Sequence, residues 1–339
     1  MAARTSVIVI TLNRPDHVRT CLEALERQEP RPDQIIVVDS SKDDLTTQMT
    51  ANFPDVLYLR NDNGFGRMTT SRNIALKHCT GEIIAFVDDD AFAHAGWLAG
   101  LVAAYTSPEI GAVGGRALNN VPGEEAQGID KIGQLTKYGN LESNFAADPG
   151  RILSVDHIIG CNMSFRREVL ARLGGFREDF PGISGVSEDT DMSLRVRKLG
   201  YTILFAPEAV VDHISAPQAI GQRFDTRYAY NGTRNRIVML VSNFGLFSRY
   251  AVGYSLFCLW RGMYSLKRFA RGFRPGLLAA THLGATVAGV ASGLVLGTRL
   301  MIQHHRDPVR HDPDALEIAQ ALDGSLQNGS VQTGKAASS

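Results

Sequence analysis

The 339-residue chain has no excess of charge of either sign, since Lys and Arg total 35 and Asp and Glu total 35. That balance excludes the global positive field of a nucleic-acid-binding protein and the acidic excess of a solvating segment. Cysteine is scarce. Cys21, Cys79, Cys161 and Cys258 stand far apart and form no Cys-x-x-Cys pair, which reads as four reduced thiols in a cytosolic environment. No basic stretch followed by an apolar one opens the sequence, and its first residues run into a strand pattern. The Asn-x-Ser/Thr triplets at Asn162, Asn231 and Asn328 are then chance matches. Apolar residues make up 44% of the chain, enough for a real core in one large or two ordinary domains.

The tripeptide Asp88-Asp89-Asp90 directly follows the apolar run Ile83-Ile84-Ala85-Phe86-Val87. A buried strand that ends in carboxylates delivers them to the edge where open α/β sheets bind ligands. Hard divalent cations take one or two carboxylates there and keep positions for water and phosphate. A solvated turn is the alternative reading, because Asp is a common turn residue.

From Ser6 to about Val113, apolar runs alternate with helix-period segments, the pattern of a parallel sheet covered by helices. Strands are predicted at Val7–Ile10, Ile35–Val38, Val56–Leu59 and Ile83–Val87, with a helix opened by Pro15 and another from about Met68 to His78. The stretch Asn119 to Gly150 has weak periodicity and reads as a long excursion of the kind used as a lid. Further strands are predicted at Ile158–Arg166, Tyr201–Phe205 and Ala209–Val211, the last ending at Asp212-His213, and a helix opens at Ser187-Glu188-Asp189. Beyond a helix from Tyr228 to Phe244, the runs Tyr250–Trp260 and Leu277–Leu296 are strongly apolar and have basic neighbours, including Arg249, Arg261, Lys267 and Arg268. Two readings stay open for them, helices at a cytoplasmic membrane surface or a buried helical appendage. The polar stretch after about Asp307 is expected to be a loose tail.

Taken together, Thr11-Leu12-Asn13-Arg14, Asp39, Ser71-Arg72-Asn73, Asp88-Asp89-Asp90, Glu188-Asp189 and His213 resemble glycosyltransferase family 2 over about Ser6 to Phe244. The resemblance implies the GT-A fold, a Rossmann-like, mostly parallel central sheet with flanking helices. Here a C-terminal helical region is added, for which the membrane-surface and buried readings both stay open. The implied organisation is a transferase domain over 1–245, split into a nucleotide-binding half (1–118) and an acceptor and catalytic half (119–245), then an apolar helical region (246–302) and a polar tail (303–339). The implied activity is inverting transfer of a single sugar from a UDP-, GDP- or dTDP-sugar to a hydroxyl acceptor on a glycan, lipid-linked or cell-envelope intermediate. No Gln-x-x-Arg-Trp run like that of the family's processive synthases is present.

By that resemblance Thr11, Asn13, Arg14, Asp39, Asn63, Arg72, Asp88 and Asp89 contact the nucleotide, and Asp90, Asp88 and His213 hold Mn²⁺ or Mg²⁺. Imidazole nitrogen suits Mn²⁺ better. Asp189 is the implied general base, Glu188 positions the acceptor or the base, and Asp191 is the fallback, since acidic residues at a helix N-terminus also serve the macrodipole. Gly160, Asn162, Ser164 and Gly175-Phe176 match scaffold segments, and Arg234 and Arg236 either help hold the diphosphate or form a solvated face. The expected location is the cytoplasm, at the inner face of the membrane, with peripheral contact through residues 246–302 and no nucleic-acid partner. Two other readings stay open, a nucleotidyltransferase, which would show a Gly-rich loop where Thr11–Pro15 stands, and a non-catalytic nucleotide- or sugar-binding module.

Overall fold

The apolar run after Thr5 forms β1 (Thr5–Thr11), buried along its whole length, and the sheet grows outward from it. The computed structural model describes residues 3–62, 67–180, 187–216, 225–270, 276–306 and 313–332. Asn63 lies outside them. Next come α1 (Pro15–Glu26), β2 (Gln34–Asp39), α2 (Leu45–Thr50), β3 (Val56–Arg60), α3 (Met68–Leu76) and β4 (Ile83–Asp88). Pro15 opens α1, where its missing N–H costs nothing, and Val18, Cys21, Leu22 and Leu25 bury the stripe that the spacing predicts. β1 pairs in parallel with β2 and β4, and β2 with β3, so Thr11, Asp39, Arg60 and Asp88 finish on one edge.

Beyond Asp88 the chain forms β5 (Ala91–Ala93), α4 (Trp97–Ala103) and β6 (Ile110–Leu118). β6 was hidden in the sequence by Gly111, Gly114 and Gly115. Its glycines are required by close packing, since a Cβ on Gly115 would lie 2.0 Å from the Ala209 carbonyl oxygen. The Asn119–Gly150 excursion contains the hairpin β7 (Gln134–Leu135) and β8 (Leu141–Glu142). It is pinned to the body by buried Ile132, Phe145 and Ala147 and by the Ala117 N–H donating to the Phe145 carbonyl, so it is less free than the lid expected of it.

After β9 (Leu153–Ser154), β10 covers only Asn162–Arg166, because the Asn162 N–H turns back to the Ile159 carbonyl and leaves Ile158–Cys161 as a turn. α5 (Arg167–Leu173) and α6 (Glu188–Lys198) follow. The two predicted runs Tyr201–Phe205 and Ala209–Val211 are one strand, β11 (Thr202–His213), broken by a bulge between Ala206 and Val210. Pro207 sits in that bulge, where its lack of an N–H removes no ladder bond. The sheet order is β3-β2-β1-β4-β10-β6-β11-β5, with β9 on β11. Only β5, β9 and β10 run against the rest. Both halves of residues 1–245 therefore share one sheet.

Four helices complete the described chain, α7 (Thr226–Phe244), α8 (Arg249–Ala270), α9 (Gly276–Arg306) and α10 (Pro313–Gln332). The expected loose tail is corrected by α10, which docks on α3 and α5. Ile318 and Leu322 are fully buried in the main core, and Lys77 pairs with Glu317 at 2.8 Å. Arg167, 1% exposed, donates to the carbonyls of Cys79, Gly81 (2.9 Å) and Leu322 (3.2 Å), so the tail helix helps satisfy a buried guanidinium. Among the described side chains of α10 only Ile318 and Leu322, four residues apart, are buried, so a mostly polar sequence still docks. Leu322→Ala is expected to lower the free energy of unfolding by about 2–5 kcal/mol. Urea denaturation checks this, and a loose tail would leave the curve unmoved.

Candidate active site

The direction of the strands gathers the site. β4 delivers Asp88, the turn after it supplies Asp89 and Asp90, and β5 then runs antiparallel to the end of β11 with Ala91 opposite His213. That pairing brings the His213 Nε2 to 3.6 Å from the Asp90 Oδ1. The other Asp90 oxygen accepts from the Ala216 N–H at 2.9 Å and from Arg14 at 3.4 Å. Asp88, Asp90 and His213 each offer a ligand atom, and these atoms lie within 4.8 Å of one another. Two carboxylate oxygens and one imidazole nitrogen, with Asp88 partly open to the cleft, fit a divalent cation that keeps positions for water and phosphate.

β10 runs against β4, so its N-terminal end reaches the same edge and places the Gly160 turn beside Asp88. Asp189, at the start of α6, meets that turn. Its Oδ2 accepts from the Gly160 N–H at 2.9 Å and its Oδ1 from the Thr190 N–H at 2.6 Å. Asp189 is half-buried; its Oδ1 also accepts from the Thr190 hydroxyl at 3.3 Å, and its Oδ2 keeps a lone pair for an incoming hydroxyl. The buried thiol of Cys161 reports how closely these groups converge. Burial raises its pKa, and so do the charges of Asp88, Asp90 and Asp189.

Arg72 ties the two halves together. It is 1% exposed, donates to the Glu188 Oε1 at 3.1 Å and the Asp88 Oδ1 at 3.3 Å, and lies 5.4 Å from the centre of the Phe176 ring. Burial works against its charge, but Asp88, Glu188 and Asp189 outweigh that and raise its pKa. Arg72, expected to reach the nucleotide, has its guanidinium bonded to the protein's own carboxylates. Phe176 in turn packs edge-on against Phe86 at 5.3 Å and Phe165 at 6.3 Å, a rigid floor under the pair.

Other expected nucleotide contacts are also turned inward. Thr11 donates to Asp89 at 2.7 Å and Arg14 donates to it at 2.9 Å, so Asp89, 4% exposed, braces the first strand's end instead of facing a ligand. Burial, only partly offset by Arg14, pushes the Asp89 carboxyl up to about 7. Asp39 is fully buried and accepts from the Ser41 N–H and hydroxyl and from the Tyr58 hydroxyl at 2.9 Å. Asn13 alone of this group is exposed, held with φ of 56° by its N–H donating to the Ser41 hydroxyl. Asp191, the fallback base, is 1% exposed and bound by Asn243 at 2.7 Å and Arg177 at 3.5 Å.

Asn162 and Ser164 are scaffold as expected. Asn162 is bonded to Trp97, Arg116 and Ala209, and Ser164 donates to Val113. Arg234 is buried against Asn235 and Tyr230, and Arg236 lies 3.4 Å from the Ser187 hydroxyl, so neither forms a solvated face. Missed in the sequence were the Gly160 N–H that holds Asp189, and Asn73, whose amide bonds both the N–H and the carbonyl of Phe176. A backbone donor carries no residue-type signal, and Asn73 had one only through its place beside Arg72.

Residues 6–174 match the profile of glycosyl transferase family 2. The chain belongs to that family. The matched span of this family 2 chain contains Asp88 to Asp90 and Gly160, while Glu188, Asp189 and His213 lie beyond it. The O-antigen chain rhamnosyltransferase RfbN of Salmonella typhimurium is 26% identical over 214 residues, 62% of this chain and 66% of its own length. The match thus spans just under two thirds of that relative. The succinoglycan biosynthesis protein ExoM of Rhizobium meliloti is 26% identical over 301 residues, 85% of this chain and 91% of its own. The mannosyltransferase PcManGT of Pyrobaculum calidifontis, solved with GDP-Man and Mn²⁺, superposes with a TM-score of 0.54 at 19% identity, covering 98% of this chain and 88% of that one. The fold of this family 2 member is GT-A, as the motifs implied.

Burial, then the charge of Asp189, push the Glu188 carboxyl up to about 8 against the pull of Arg72. A carboxyl raised this way stabilises the fold at low pH, and that contribution fades as pH rises from its ordinary value of 4.5 towards 8. Glu188→Gln cannot ionise, so wild-type stability is expected to fall relative to the variant across that window, by at most about 1.4 kcal/mol per pH unit. Denaturation of the metal-free proteins at several pH values checks the sign; parallel profiles would argue against a raised Glu188.

Proposed function

We propose that the protein is a divalent-metal-dependent, inverting glycosyltransferase that moves one sugar from a nucleoside diphosphate sugar to a hydroxyl of a glycan, lipid-linked or cell-envelope acceptor. The observation that carries this reading is the placement of the Asp88, Asp90 and His213 ligand set on the same sheet edge as the half-open carboxylate of Asp189. The named relatives act in O-antigen and succinoglycan synthesis, and PcManGT was solved with a GDP-sugar and Mn²⁺. For this chain the donor is a UDP-, GDP- or dTDP-sugar and the working place is the cytoplasmic face of a membrane.

In this reading Asp88, Asp90 and His213 hold Mn²⁺ or Mg²⁺, whose positive charge, when bound, offsets the charge on the departing diphosphate. Asp189 takes the proton of the acceptor hydroxyl as its oxygen attacks the anomeric carbon and the bond to the diphosphate breaks. The Gly160 and Thr190 N–H groups fix the Asp189 carboxylate for that task. With its carboxyl pushed up to about 8, Glu188 is mostly protonated at neutral pH and places little second negative charge beside the base.

The test is calorimetry with UDP, GDP, dTDP and CDP, each with and without Mn²⁺, followed by turnover with the sugar form of the nucleotide that binds. Asp90→Ala is expected to abolish the metal-dependent part of nucleotide affinity, and unchanged affinity would remove Asp90 from the metal site. Asp189→Asn is expected to keep nucleotide affinity and lower turnover by about 10²–10⁴-fold. Turnover near wild type would overturn its role as base, and no turnover from either protein with any sugar would favour the binding-module reading.

A further inference from the structure

Between Asp225 and Asp307 the chain has no Asp or Glu, yet it carries eleven of the 35 Lys and Arg residues. The segment that forms α7, α8, α9 and the short links between them thus has a formal net charge of +11, against −11 for the rest of the chain. The same region exposes large apolar side chains. On α8, Val252 (42% exposed), Leu256 (61%) and Trp260 (58%) recur every four residues on one stripe, opposite buried Ala251, Ser255 and Cys258. Phe247, in the turn before α8, is 90% exposed. On α9, Val287, Val295 and Ile302 form a second exposed stripe.

Leu283–Gln303 of α9 is long and apolar enough to cross a membrane, the one such segment among the described residues. Its other face forbids crossing. Gly289, Gly293 and Gly297 lie on the side of α9 opposite the exposed valines and press its backbone onto α7. A Cβ on Gly293 would sit 2.8 Å from the Ile237 Cβ and 2.9 Å from the Arg234 carbonyl oxygen, and one on Gly297 would sit 2.8 Å from the Val241 Cβ. α7 contains buried Asn231, Arg234 and Asn235, and its Asn243 grips Asp191 of α6 at 2.7 Å. Drawing Leu283–Gln303 through hydrocarbon would drag that charged helix, and the one bearing Asp189, in with it. Lying in the interface requires none of this, and suits an apolar stripe with basic neighbours and an exposed Trp.

We infer that the exposed face of α8 and α9 docks flat on an anionic lipid bilayer, and that α9 lies on the membrane without spanning it. The inference rests on the membrane placement in the reading above but not on its donor chemistry. α7 joins this surface to the helix that carries Asp189, so docking holds the acceptor side of the site at a fixed relation to the headgroups.

The test is flotation of the purified full chain with vesicles of phosphatidylcholine alone or with added phosphatidylglycerol. At least about tenfold more protein is expected to float with the anionic vesicles. High salt and alkaline carbonate are expected to strip it off, and Phe247→Glu combined with Leu256→Glu to abolish flotation while keeping the wild-type melting temperature. Resistance to carbonate would mean a span and overturn the inference. Equal flotation with neutral vesicles, or flotation unaffected by the double variant, would overturn it too. A dimer that the double variant dissociates, seen by sedimentation without any vesicle binding, would assign the face to a second copy instead. Nucleotide affinity with Mn²⁺, measured on the same preparations, is expected to be equal in both proteins; its absence from both would sink the donor reading and leave the flotation result standing.

Discussion

The buried guanidinium of Arg72 is the interaction on which the site depends. It sits between Asp88, of the candidate cation site, and Glu188, next to the candidate base, with almost no access to water. Several carboxylates at one sheet edge repel one another, and burial raises the cost of each charge. One fixed cation between them makes the cluster tolerable, and breaking such a buried pair by removing one partner costs about 3–5 kcal/mol. The aromatic floor of Phe86, Phe165 and Phe176 and the amide of Asn73 hold Arg72 in position.

A second constraint is geometric. β10 runs against its neighbours, so its N-terminal end and the C-terminal ends of β1, β4 and β11 meet at one edge. That reversal places the Gly160 N–H where it fixes Asp189. The bulge at Pro207 lets β11 resume pairing with β6 and continue to β5, which sets His213 beside Asp90. The helices α7 and α9 extend the same logic outward. Close glycine packing makes them a single unit, attached to the start and middle of α6 by Arg236 beside Ser187 and by Asn243 on Asp191.

Much of this was legible in the residues alone. The apolar runs before Asp39 and Asp88, the Pro15 helix start and the order of the acidic motifs pointed to the fold, because buried parallel strands must be continuously apolar and their ends must carry polar groups. The residues of the candidate cation site, Asp88, Asp90 and His213, were legible as well, although His213 needed a resemblance to distinguish it from a structural histidine. The internal bonds of Thr11, Arg14, Asp39, Arg72 and Asp89, residues expected to contact the nucleotide, were not legible. A polar residue at a strand end looks the same in sequence whether it faces a ligand or a neighbouring side chain, and here these residues face each other.

The sequence by itself determined the parallel sheet, the edge on which chemistry collects and the carboxylates available there, since periodicity and residue type are local properties. Only the tertiary structure decided which carboxylate is free to act. Asp89, Glu188 and Asp191 are buried among their partners Thr11 and Arg14, Arg72, and Asn243 and Arg177, whereas Asp189 stays partly exposed. It also decided that α10 is part of the core and that α9 belongs to α7. The reason is the same throughout: a side chain's partners are set by residues distant in the chain, and local pattern carries no record of them.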